Sequence, residues 1–228
     1  MELHRQKKFD WKRIIGAFLF ISLIGSIVFI IIKMILAPSE AAETVNVKVK
    51  RDYVLMLLQC VLGILVMMIP SIVEKRKSID IPDTMEIIYF IFLYCAIYLG
   101  EVQDFYYLIP YWDSILHTFS GAVLGVLGII LVRFLNEHER VAIDLNPLFI
   151  SIFAFCFSVA AGTIWEIYEF FADGILSLNM QKFILVDGTQ LVGREALSDT
   201  MSDLILDTIS ALIISSIAYP ILKKQKKN

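Results

Sequence analysis

The chain has 228 residues, 58% of them hydrophobic, with a formal charge of −3 and a mean hydropathy of +0.74. Soluble domains sit nearer 45–50% apolar, so a water-soluble globule is excluded, and no basic field of the kind that binds nucleic acid is present. Cys60, Cys95 and Cys156 all fall inside apolar runs without a CxxC pair, which excludes a disulfide framework and a thiolate zinc site and leaves them as small buried hydrophobes.

Crossing the hydrocarbon takes about 20 mostly apolar residues. In chain order the candidate spans are Ile14–Leu36, Tyr53–Val73, Met85–Leu99 (extending to about Asp104), Trp112–Leu135, Pro147–Ala172 and Leu197–Leu222. The expected fold class is therefore all-α, a polytopic transmembrane helix bundle of about six spans. The first apolar core exceeds the roughly 7–15 residues of a signal peptide and reads as an uncleaved signal anchor, although an Ala-containing segment follows it. The expected organisation is a basic cytoplasmic N-terminus (1–13), an anchor (14–36), a membrane bundle (53–222) with an external loop (174–196), and a basic tail (223–228).

Orientation follows from Lys and Arg placement. One side carries Arg5, Lys7, Lys8, Lys12, Arg13, Lys75, Arg76, Lys77, Arg133, Arg140, Lys223, Lys224, Lys226 and Lys227. The other carries Lys48, Lys50, Arg51, Lys182 and Arg194, with Lys33 near the outer end of the first span. Fourteen against five predicts N-in and C-in. Tyr106, Tyr107, Tyr111 and Trp112 form an aromatic cluster suited to one interface.

On that topology the carboxylates gather at the outer ends of the last four spans: Glu101 and Asp104; Asp113 with His117; Glu166, Glu169 and Asp173; then Asp199, Asp203 and Asp207. Spacings of three and four residues place each of the last three sets on one helix face. Asp207 lies about 12 Å deeper than Asp199 along a helix axis. An ionised carboxylate near mid-membrane costs at least about 2.5–3.5 kcal/mol, so these faces are expected to meet one another rather than lipid. Converged carboxylates then need protons, water or a cation. An oxygen-rich set with one imidazole suits Mg, Mn, Fe or Zn, and paired ligands on facing helices are how bundle-core metal sites are built. The candidate ligands are Asp113, His117, Glu166, Glu169, Asp199 and Asp203; no organic cofactor is indicated. Helix-end acids such as Asp113 and Asp199 also serve as caps or dipole partners. Asp207 reads equally as a protonated helix–helix hydrogen-bonding group. His4 and His138 need no special role, and Gly121, Gly125 and Gly128 read as close helix–helix contacts. Residues 183–192 read as a short hairpin about Asp187-Gly188, either a lid or a plain connector.

The strings Asp113–His117 (DSILH), Trp165–Glu169 (WEIYE) and Asp199–Asp203 (DTMSD) resemble those of bacterial inner-membrane proteins of the YjdF type, a family of unknown function. The resemblance covers roughly residues 85–218. Members often carry Trp before the last-helix Asp, where this chain has Ser198. The resemblance implies an inner-membrane helix bundle and supplies no substrate. Three functions stay open: a metal-dependent enzyme on a lipid or lipid-linked substrate, a proton- or cation-coupled transporter, and a non-catalytic scaffold or sensor.

Overall fold

A computed structural model describes residues 10–37, 48–77, 81–136, 145–185 and 187–226. Most of the basic N-terminus (1–9, with His4), His138, Arg140, Val186 and the last two residues lie outside the described residues. The helices are α1 (Trp11–Leu36), α2 (Lys50–Met67), α3 (Ile69–Lys77), α4 (Asp83–Leu93), a π-helix (Tyr94–Val102), α5 (Phe105–Leu108), α6 (Trp112–Asn136), α7 (Pro147–Leu176) and α8 (Arg194–Gln225). Among the described residues, six helical segments are long and apolar enough to cross a membrane: Trp11–Leu36, Lys50–Lys75, Asp83–Val102, Trp112–Arg133, Pro147–Leu176 and Arg194–Gln225. No strand forms among the described residues, and the expected hairpin reduces to one antiparallel bridge between Ile184 and Gln190.

Local chemistry sets the boundaries. Asp10 caps α1 by accepting from Arg13 N at 3.0 Å, and Asn146 caps α7 by accepting from Phe149 N at 2.8 Å, with Pro147 in the first turn where its missing N–H is harmless. The second span breaks at Met68, two residues ahead of Pro70, which has no N–H to continue the helical hydrogen-bond ladder. Large apolar side chains stay on the outside: Ile164, Phe170 and Ile175 of α7 are 66%, 63% and 75% exposed. Such a face is suited to hydrocarbon or to another apolar surface rather than to water.

The described residues form two compact units. In the first, through Leu108, α1 packs on α2 and α4, burying Leu19, Leu23 and Ile30 among Met56, Cys60, Phe90 and Leu93. Lys12 joins α1 to the start of α4, 2.8 Å from Asp83 and 2.5 Å from Glu86. Glu86 is 2% exposed, so removing its cation strands a buried carboxylate. Lys12→Met should lower stability in detergent by about 2–3 kcal/mol, with Lys12→Met/Glu86→Gln recovering most of the loss in a thermal melt.

In the second unit, from Ile109 onward, α6, α7 and α8 pack mutually. Small residues bring the backbones close. A Cβ at Gly128 would lie 2.9 Å from Ala154 Cα, and one at Gly125 would lie 3.2 Å from Ile214. Val132, Ile150, Ala218 and Leu222 close one end. The polar residues occupy the other.

Candidate metal centre in the three-helix unit

The site is built on His117, 7% exposed on the second turn of α6. Its Nδ1 lies 3.3 Å from Asp207 Oδ2, a hydrogen bond between α6 and α8. Its Nε2 faces three carboxylates without touching any of them. Asp113 Oδ1 is 3.8 Å away, Glu166 Oε1 3.8 Å and Asp203 Oδ2 3.9 Å. These separations are too long for hydrogen bonds. They lie within the reach of ligands sharing one ion, because two bonds of about 2.1 Å span at most about 4.2 Å. The ligand atoms of Asp113, His117 and Asp203 all fall within 4.8 Å of one another, so modest side-chain movement would close them on a small cation.

Glu166 is the sharpest feature. It is 4% exposed and neither carboxylate oxygen makes a hydrogen bond of normal geometry, although the Thr200 hydroxyl and the imidazole are its polar neighbours. A buried charged group without hydrogen bonds costs several kcal/mol. Asp113, Glu166, Asp203 and Asp207 surround a single imidazole, so protons or a cation must balance the set.

Asp199, Asp203 and Asp207 occupy successive turns of α8 and take three different positions. Asp199 is half-buried at the rim, Asp203 faces Nε2 at 3% exposure, and Asp207, 2% exposed, faces Nδ1. Glu169 is half-buried by surface area and, like Asp199, within electrostatic range of Asp113, His117 and Lys182. Neither makes an ion pair with the imidazole among the described residues. They form an outer ring above the inner set.

Three further acids from the outer-end cluster play other parts. Asp173 accepts from Met180 N at 2.7 Å and Gln181 N at 3.0 Å, tying down the connection between α7 and α8. Asp104 belongs to the first unit, where it pairs with Lys48 at 2.6 Å, as does Glu101, 7% exposed. The connection itself is stitched by Asn179, which exchanges hydrogen bonds with Ile184 N and O, and by Gln181 Nε2 donating to Thr200 at 2.8 Å. This holds Lys182, in the left-handed region at φ 51°, near the outer ring. At the tip of the loop the backbone N–H of Thr189 holds the exposed Asp187 carboxyl below its usual range.

The sequence reading left Asp207 outside the ligand set and gave no part to Ser120, Thr200 or Gly162. Ser120 Oγ stands 3.3 Å from Asp207 Oδ1. Gly162 makes the room for that carboxylate: a Cβ there would collide with Asp207 Oδ2 and lie 3.0 Å from its Cγ. Gly162→Ala should therefore displace Asp207 and destabilise the protein by about 1–3 kcal/mol. Gly174→Ala on the same helix, where a Cβ meets nothing within 4 Å, should be neutral or slightly stabilising. Paired melting curves check both.

Comparison with known sequences agrees with the membrane reading. The profile of the family described as "Predicted membrane protein (DUF2238)" matches residues 18–224. An uncharacterized protein of Thermotoga maritima is 28% identical over 151 residues, covering 66% of this chain and 69% of that protein. No solved structure matches. The resemblance to a membrane family of unknown function is borne out.

Proposed function

We propose that this chain, which belongs to the DUF2238 family of predicted membrane proteins, holds one divalent metal ion and uses it on a lipid or lipid-linked substrate at the outer face of the membrane. One observation carries the reading. His117 directs Nε2 at a gap ringed by Asp113, Glu166 and Asp203 at 3.8–3.9 Å while Asp207 fixes Nδ1. A carboxylate bonded to the far nitrogen of an imidazole is the usual support for a metal-ligating histidine.

Asp113, His117 and Asp203 would hold the ion, with Glu166 beside them. Magnesium, manganese, iron and zinc all fit an oxygen-rich set with one imidazole. Such an ion polarises a phosphoryl or carbonyl oxygen, or lowers the pKa of a bound water. The protein's own groups divide the remaining work. Glu166, buried and with no hydrogen bond of normal geometry, accepts the proton of an attacking hydroxyl. Lys182, beside the outer ring, draws an anionic substrate oxygen toward the rim. Substrate enters sideways from the bilayer, past the exposed apolar faces of α7 and α8 at Ile164, Ile167 and Ile205. The basic-residue asymmetry supports an N-in and C-in topology in a bacterial cytoplasmic membrane, with this rim on its outer side.

The test is the metal content of detergent-purified protein by elemental mass spectrometry, before and after chelation and reloading. About one ion per chain is expected in the wild type, with loss in a folded Asp203→Asn variant. Wild type that takes up none of the four metals after reloading would overturn the proposal and leave the cluster as a protonation site of the kind found in carriers.

A further inference from the structure

We propose that the first unit binds one anionic phospholipid in the cleft bounded by α1, α2 and the π-helix. This site is independent of the metal centre. Along α1 the cleft runs from Ile21 through Gly25 and Phe29 to Lys33, about 18 Å along the helix axis. Opposite stand Tyr53 and Met56 of α2, and Tyr98 and Val102 of the π-helix. A π-helix is rare, widens the turn, and is frequent at functional sites; here its i→i−5 pattern runs on to Gln103 N, which donates to Tyr98 O at 3.0 Å.

The two ends of the cleft differ in chemistry. Lys33, Lys48, Gln103 and Asp104 line its mouth, where α1 ends and α2 begins. Lys48 Nζ lies 2.6 Å from Asp104 Oδ1 and 3.9 Å from Met56 Sδ, which directs the ammonium toward the cleft. Among the described lining residues two ammonium groups stand against one carboxylate, a balance that favours an anionic headgroup. Further down, Ile21, Phe29, Met56 and Val102 supply an apolar lining beside the Tyr53 and Tyr98 rings. The Ser22 and Ser26 hydroxyls donate to Phe18 O and Ser22 O, both at 2.8 Å, so they present no unused donor to a hydrocarbon chain. A Cβ at Gly25 would meet nothing within 4 Å, so the groove is open there.

A cationic mouth above an apolar groove inside transmembrane helices has the shape and polarity of a lipid with an anionic head. Free phosphate would use the mouth and leave the groove unfilled. A zwitterionic head would set its own cation against the lysines.

Binding is read by native mass spectrometry on the delipidated full-length protein, titrated with phosphatidylglycerol and with phosphatidylcholine of the same acyl chains. One phosphatidylglycerol per chain is expected, preferred about tenfold over phosphatidylcholine. Lys33→Gln and Lys48→Gln should each weaken it by about tenfold, the loss of one charge-assisted contact. Gly25→Leu, which has room for its side chain, should block the groove and remove binding while melting as wild type does. Equal affinity for the two lipids, full binding by the Gly25→Leu variant, or displacement by equimolar inorganic phosphate would each overturn the proposal.

Discussion

Replacing His117 with glutamine should empty the metal centre. The imidazole is the nitrogen donor facing the three carboxylates among the described residues, and a neutral amide is a far weaker ligand than imidazole. Losing a ligand should cost more than losing a ligand's supporting partner, which takes about 10–100-fold from affinity. A fall of about a hundredfold or more is therefore expected, seen as metal content dropping from near one ion per chain to near none. The variant also leaves Asp113, Glu166, Asp203 and Asp207 without their shared imidazole, so its melting midpoint should drop. Asp173→Asn is the control: that carboxylate holds Met180 N and Gln181 N rather than the imidazole, and its variant should keep the ion. In the wild type, occupancy should fall as pH is lowered, because protons compete for Nε2 and the carboxylates while the metal needs them deprotonated. His117→Gln protein retaining full occupancy would sink the assignment.

The spans were legible because hydropathy and length report directly on a hydrocarbon solvent, and the observed helices differ from the expected ranges mainly by a few residues at their ends. The π-helix was not. Tyr94–Val102 carries no breaker before Gly100, and nothing in an apolar run distinguishes i→i−5 from i→i−4 bonding. The same asymmetry holds at the site. Residue spacing on α6, α7 and α8 anticipates that Asp113, His117, Glu166 and Asp203 share inward faces, since lipid is a prohibitive alternative for them. Spacing says nothing of lateral neighbours. Glu101 and Asp104 gathered with the rest at the outer span ends, outside the ligand set, and they belong to the first unit. Asp173 fits the α7 stripe by period, but it sits within one turn of the helix end, where orphan amides of the following loop claim it. The glycines show the converse. Gly162 carries no chemistry in sequence, and its meaning appears only when Asp207 is found in the space a methyl would occupy.

Asp207→Asn separates a supporting carboxylate from a packing one. The substitution keeps the volume and leaves an amide oxygen to accept from Nδ1, so the α6–α8 hydrogen bond can persist and the melting midpoint should move little. What it removes is the negative charge that favours the Nδ1–H tautomer and makes Nε2 a better donor. Metal affinity should therefore fall by about 10–100-fold, with the loss read by competition against a chelator rather than by heat. Ser120→Ala, one step further out at 3.3 Å from Asp207, should cost less. If the cluster served only to hold helices together, the ordering would invert: Asp207→Asn would leave any metal uptake unchanged, while Gly162→Ala, which displaces the same carboxylate, would act on stability alone. The ratio of the two effects, affinity against midpoint, therefore decides whether the polar core between α6, α7 and α8 is a site or a clasp.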